Sequence, residues 1–232
     1  MRQIVLDTET TGLHPSEGHR IIEIGCIEMI ERRVTNNDFH QYLQPDREID
    51  EEAQNVHGIT PEFLADKPRF GEIVDNFMNY VKGAELIIHN APFDVGFINN
   101  ELKLVRSKWG KLEDHCTILD TLVMARKTYP GQRNSLDALC KRLAVNNSHR
   151  ELHGALLDSQ ILADVYLAMT GGQKALLFGD APQGTTEVSP IQRLPSNRPA
   201  LKIIRANEAE TKAHQIKIAE IEQSSGIRLW GD

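Results

Sequence analysis

Residues 4–13, IVLDTETTGL, pass from a wholly apolar run straight into two acids one residue apart. Ile4, Val5 and Leu6 are residue types of a central strand. In a strand, side chains at i and i+2 share a face, so a strand continuing through Glu9 projects Asp7 and Glu9 together. Gly12 and Pro15 end it soon after. Paired carboxylates at the end of a buried strand are costly unless something positive meets them. The run D-T-E-T-T-G also copies the first half of a calcium-binding loop. That loop needs a helix before it and a Glu at its twelfth place, where this chain has a strand and Gly18.

Two more segments, IIEIGCIEMIE (21–31) and FHQYLQ (39–44), read as strands joined by short polar connections, as in an antiparallel meander. From Phe70 the period changes. Phe70, Ile73, Val74, Phe77, Met78 and Val81 recur at three- and four-residue steps, the stripe of an amphipathic helix. ELIIH (85–89) and a segment near Thr117–Leu119 read as further strands. Helices are expected over Val95–Val105 and near 120–128, 135–144 and 155–169. The expected fold is therefore α/β, a mixed sheet whose first three strands are antiparallel, with flanking helices.

Past Gly171-Gly172 the character changes. Residues 179–200, rich in Gly, Pro, Ser, Thr and Gln, read as a linker. Asn207 followed by Glu210 predicts a capping box for a helix through about residue 223. Leu201, Ile203, Ile204, Ile216, Ile218, Ile221, Leu229 and Trp230 make 201–232 too apolar for a solvating tail, which suits a segment that folds on a partner. Residues 1–178 hold 19 Lys+Arg and 26 Asp+Glu, the whole of the net charge of -7, while the other 54 residues hold seven of each sign. An acidic domain repels nucleic acid at long range, which argues against tight, unassisted DNA binding. It leaves open an enzyme whose acids are neutralised by metal ions. The three cysteines, Cys26, Cys116 and Cys140, form no C-x-x-C pair, as expected of a reducing compartment. No apolar run approaches the length of a membrane span, and no secretory signal is visible; a cytoplasmic protein is expected.

Three further segments extend the acidic pair. HNAPFD (89–94) brings Asp94 into a helix from the end of a strand, a favoured place for ligand sites in open α/β sheets. HGALLDSQ (153–160) sets His153 five residues before Asp158, too far round one helix to share a face. His153 is therefore expected on the preceding loop, with Asp158 one turn into the helix. VHGIT (56–60) places His57 in a connection. Four acids and one histidine suit hard divalent cations, Mg²⁺ or Mn²⁺, better than zinc. Two such ions about 3.5–4 Å apart are the usual device for cutting a phosphodiester, with one histidine as general base for the water.

LDTETTGL, HNAPFD and HGALLDSQ, in that order, resemble the three motifs of the DEDDh exonucleases. The match extends through VHGIT, GQRNSLDALC and LAMTGGQ over nearly all of 1–178, and is strongest toward the proofreading subunits of bacterial replicative polymerases. The resemblance implies a ribonuclease H-like fold and two-metal, 3′→5′ release of nucleoside 5′-monophosphates from a single-stranded or frayed DNA 3′ end. It implies metal binding by Asp7, Glu9, Asp94 and Asp158, with His153 activating the water. Glu52 and His57 would meet the 3′-terminal nucleotide, walled by Thr10, Gly12 and Leu13. QKALLF (173–178) resembles a short sliding-clamp peptide anchored by Gln173, Leu177 and Phe178. The segment 201–232 corresponds to the part that binds the polymerase alpha subunit, and some members also bind a small theta subunit, which the residues leave open. Two other readings stand beside this one: an exoribonuclease of the same family, and a non-catalytic scaffold that only binds a polymerase.

Overall fold

In the computed structural model, residues 1–147, 152–171 and 205–226 are described. The axis of the sheet is β1 (Arg2–Thr10), which continues through Glu9. Ile4, Val5 and Leu6 are fully buried, each such side chain contributing roughly 1.5–3 kcal/mol of transfer free energy. On one side β1 pairs antiparallel with β2 (Ile21–Ile30), Asp7 opposite Gly25 and Glu9 opposite Glu23, with a register slip between Glu9 and Thr10. The β2 strand also pairs antiparallel with β3 (Arg33–Val34) and β4 (Phe39–Tyr42). On its other side β1 runs parallel to β5 (Glu85–Ile88), which runs parallel to β6 (Thr117–Asp120). The expected mixed sheet is thus present, with strand order β3-β2-β1-β5-β6 and β4 on β2.

Helices α1 (Glu51–His57), α2 (Pro61–Leu64) and α3 (Phe70–Val81) follow β4. Next come α4 (Ala91–Leu104), after β5, and α5 (Thr121–Thr128), α6 (Leu136–Leu143) and α7 (Ala155–Thr170), after β6. Ile4 and Leu6 face a core with Phe70, Phe77 and Met78 of α3 and Phe97 and Ile98 of α4. Val5 faces the other way, against Leu162, Ala163 and Tyr166 of α7. By alternation, Asp7 and Glu9 lie on the α7 face of the sheet. One expectation is corrected: His57 does not lie in a connection but is the last residue of α1. The segment EEAQNVH has too few apolar residues to show a helical stripe.

Two contacts fix the helices that matter for the site. Gly25 lies under the first turn of α7, where a Cβ would overlap the Leu156 nitrogen and the Ala155 carbonyl. Ser159 Oγ donates to the Gly25 carbonyl at 2.9 Å. Only glycine permits this approach, and it seats the start of α7 directly across from Asp7. On the opposite face, Arg20 donates from Nε and Nη2 to both oxygens of buried Glu101 on α4, each at 2.7 Å. A forked pair of this kind is strong and directional, and it ties the β1–β2 connection to α4.

The chain divides into two compact units, Met1–Leu176 and Leu177–Asp232. In the second, α8 (Glu208–Ser225) starts at the expected box: Asn207 Oδ1 accepts from the Glu210 N–H and Glu210 Oε2 from the Asn207 N–H, both at 2.9 Å. Gly226 closes it in the left-handed region. Gln173, Leu177, Phe178 and the linker 179–200 lie outside the described residues. Among the described residues no helix is long and apolar enough to cross a membrane, and Cys26, Cys116 and Cys140 form no disulfide.

Candidate functional site

Three elements deliver the acids. β1 carries Asp7, Thr8 and Glu9 near its C-terminal end. α4 and α7 each carry one acid in the first turn, Asp94 and Asp158 respectively. A helix start presents unpaired N–H groups and the positive end of the helix dipole, which favours a carboxylate there and offsets part of the repulsion among neighbouring acids. Asn90, in the left-handed region, turns the chain from β5 into α4, a conformation asparagine tolerates. Asp7, Glu9, Asp94, His153 and Asp158 line one cavity of about 260 Å³, together with Thr8, Phe93, His89, Asn90 and the Ser135–Asp137 segment.

Within it, Glu9, His153 and Asp158 each offer a ligand atom, all within 4.8 Å of one another. His153 Nδ1 lies 3.3 Å from Asp158 Oδ2, with the imidazole exposed and the carboxylate buried. His153 precedes α7, whose N-cap is Gly154, and its N–H donates to the Val56 carbonyl of α1 at 3.1 Å. Asp94 is 3% exposed and accepts from Thr8 Oγ1 at 2.7 Å. Burial pushes its carboxyl up to about 7; the Thr8 bond opposes the shift and Asp120 adds to it. A buried acid of this kind is relieved by a cation. The donor set, carboxylates plus one imidazole, fits a hard divalent ion.

The remaining candidates line an adjoining cavity of about 440 Å³: Thr10, Gly12, Leu13, Glu52 and His57, with Thr8, Glu9 and Phe93 common to both spaces. Leu13 and Val56 are exposed hydrophobics on its walls, apolar surface that a nucleobase could cover. Thr10 Oγ1 donates to the Gly12 carbonyl at 2.7 Å and holds the turn after β1. His57 is buried, and its Nδ1 accepts from the Ile59 N–H at 3.0 Å. The neutral ring therefore carries its proton on Nε2, a buried atom with no well-formed hydrogen bond. Burial lowers the His57 pKa, against the field of Glu23 and the nearby Thr10 backbone, so the ring is neutral on the cavity wall. Glu23, paired with Glu9 across the ladder, is itself buried and meets His40 Nε2 at 2.7 Å.

Sequence reasoning missed Phe93, His89 and Gly25. Phe93 stands beside Asp94 in HNAPFD, and a glycine inside the apolar run IIEIGC signals a close backbone approach.

The Exonuclease family model matches residues 4–166. DNA polymerase III subunit epsilon of Escherichia coli (strain K12) is 51% identical over 236 residues, 99% of this chain and 97% of that protein. The protein of the same name from Pasteurella multocida (strain Pm70) is also 51% identical, over 99% of this chain and 93% of its own length. Among solved structures, exonuclease X in complex with 5′ overhanging duplex DNA is 27% identical, with a TM-score of 0.56, covering 74% of this chain and 94% of that one. The nuclease domain of 3′hExo, a DEDDh family member bound to rAMP, superposes with a TM-score of 0.62 at 19% identity, over 72% of this chain and 90% of that one, a likeness of fold.

Proposed function

This chain belongs to the exonuclease family and, within it, to the DNA polymerase III epsilon subunits; from that premise we propose that Asp7, Glu9, Asp94 and Asp158 hold two divalent cations, Mg²⁺ or Mn²⁺, at the 3′ end of a DNA strand. The protein is a metal-dependent 3′→5′ exonuclease that proofreads for a replicative polymerase. One observation carries the site assignment: Glu9 and the His153–Asp158 segment, far apart in sequence, bring their ligand atoms within 4.8 Å of one another.

When bound, the cations would neutralise charge on the scissile phosphate and orient the attacking and leaving oxygens. The chain does the rest. His153, exposed beside Asp158, takes a proton from the attacking water. Thr8 holds Asp94 in place from the strand. Leu13 and Val56 cover the terminal base, while His57 Nε2–H donates to an oxygen of the terminal nucleotide and Glu52 accepts from one of its hydroxyls. A paired end does not reach this cavity as readily as a frayed one, which gives mismatch preference without reading the base.

The partners follow in the same reading. Residues 201–232 bind the alpha subunit, Gln173, Leu177 and Phe178 anchor the sliding clamp, and a theta subunit is a further candidate; the compartment is the cytoplasm. Tethering raises the local concentration of nuclease at the primer end and offsets the acidic surface. The deciding assay compares turnover on matched single-stranded DNA and RNA oligonucleotides with Mn²⁺. Release of deoxynucleoside 5′-monophosphates from DNA supports this function. A strong RNA preference, or no release from either, overturns it.

A further inference from the structure

His19 is a buried imidazole on the wall of the larger cavity with no part in the chemistry above. Its Nδ1 lies 3.1 Å from Thr11 Oγ1. That hydroxyl already accepts from the Arg20 N–H at 3.0 Å, so its own proton is available to Nδ1. The ring's other nitrogen, Nε2, then carries the hydrogen and faces Asp50 Oδ2 at 3.4 Å and Glu17 Oε2 at 3.8 Å. Asp50 is the N-cap of α1, and its N–H donates to the Thr11 carbonyl at 3.0 Å. Directly against the ring sits Gly12, where a Cβ would overlap the imidazole. The ring is buried, bonded at Nδ1 and within ion-pair range of two carboxylates at Nε2, so it cannot swing aside cheaply.

One side chain therefore touches both halves of the cavity: the turn after β1, which carries Gly12 and Leu13, and the N-cap of α1, the helix that carries Glu52 and His57. We propose that His19 is a positioning residue that fixes the spacing of these two walls and thereby sets how tightly the 3′-terminal nucleotide is held. The proposal rests on reading this cavity as the nucleotide site. The partners of His19, Thr11, Gly12, Glu17 and Asp50, are not proposed metal ligands, so the effect falls on substrate binding rather than on metal binding.

The test uses the full-length protein. His19→Gln and Thr11→Val are assayed for steady-state cleavage of a single-stranded deoxyoligonucleotide, inhibition by deoxythymidine 5′-monophosphate, and Mn²⁺ affinity. Each variant should raise KM and the inhibition constant about tenfold, the size of one lost buried hydrogen bond, with kcat within about threefold and Mn²⁺ affinity unchanged. Gly12→Ala should raise KM in the normal background but add little on top of His19→Ala, because the methyl then meets no ring. Unchanged KM and inhibition in His19→Gln and Thr11→Val, or an equal Gly12→Ala effect in both backgrounds, overturns the proposal. Glu52→Ala and His57→Ala separate the two levels. If they also leave KM and inhibition unchanged, the cavity itself is misread; if they raise both while the His19 variants do not, only the role of His19 fails.

Discussion

The two cavities that meet at Glu9 differ in how their walls are built. The smaller gathers Asp7, Glu9, Asp94, Asp158 and His153 from the end of one strand and the starts of two helices. The larger is walled by a turn and a short helix, and sets apolar surface from Leu13, Val56 and Phe93 among separate polar side chains such as Glu52, His57 and His19. Fixed charge has to stand on rigid elements, because a misplaced carboxylate loses transition-state stabilisation steeply. A nucleotide that must enter and leave is better served by walls that give area without tight charge. Losses in the first cavity should therefore appear in kcat, and losses in the second in KM.

The sharpest way to break that division is Asp158→Ala, which removes a buried carboxylate from the cluster and should lower metal-dependent cleavage by at least about 10²–10³-fold, with the circular dichroism spectrum preserved. Near-normal turnover would mean the cluster is not the reaction centre. His153→Ala should cut kcat by about 10²–10⁴-fold while leaving DNA affinity nearly unchanged, as expected of a base acting in the transition state. A pure binding defect would move His153 into the other cavity. Gly25→Ala tests the scaffold behind the charges. Its methyl would force α7 off β2, costing about 1–3 kcal/mol of stability and lowering kcat because Asp158 moves; chemical denaturation and turnover measure the two effects.

On the other side of the division, His57→Ala should raise KM about tenfold through one lost donor and leave kcat far less affected than His153→Ala does. A kcat-dominated loss would erase the distinction between the cavities. The smallest effect is linked to pH. The Asp94 carboxyl is raised to about 7 in the folded state from an ordinary value near 3.9. Between those values the folded chain holds a proton that the unfolded chain has lost, so metal-free stability falls as pH rises from about 4 to 7. A divalent ion binds the ionised form and recovers that loss. The gain in Tm on adding Mg²⁺ should accordingly be larger at pH 8 than at pH 5.5, and an equal gain at both would detach Asp94 from the metal site.

Much of this was legible in the sequence, and the reasons are physical. β1 and its two acids stood out because an apolar run and a two-residue alternation leave few alternatives. α3 stood out because Phe70, Ile73, Phe77, Met78 and Val81 bury one face. α1 did not, since a seven-residue helix with only His57 buried leaves no periodic trace. Two-residue β3 and four-residue α2 are too short to leave one. In the candidate site, residues with distinctive chemistry in compact motifs could be named in advance. Those that act through neighbours distant in sequence could not: Gly25 matters because α7 lies on it, Phe93 because two cavities share it, and His19 because β1 and α1 converge on its ring.

The central claim is that four acids from three separated segments of the chain converge to hold two divalent ions beside His153. A crystal structure of the protein soaked with Mn²⁺ and deoxythymidine 5′-monophosphate tests it most directly. Two manganese peaks about 3.5–4 Å apart, ligated by oxygens of Asp7, Glu9, Asp94 and Asp158, are the expected result. Manganese bound elsewhere, or those carboxylates turned away from the nucleotide phosphate, would contradict the account.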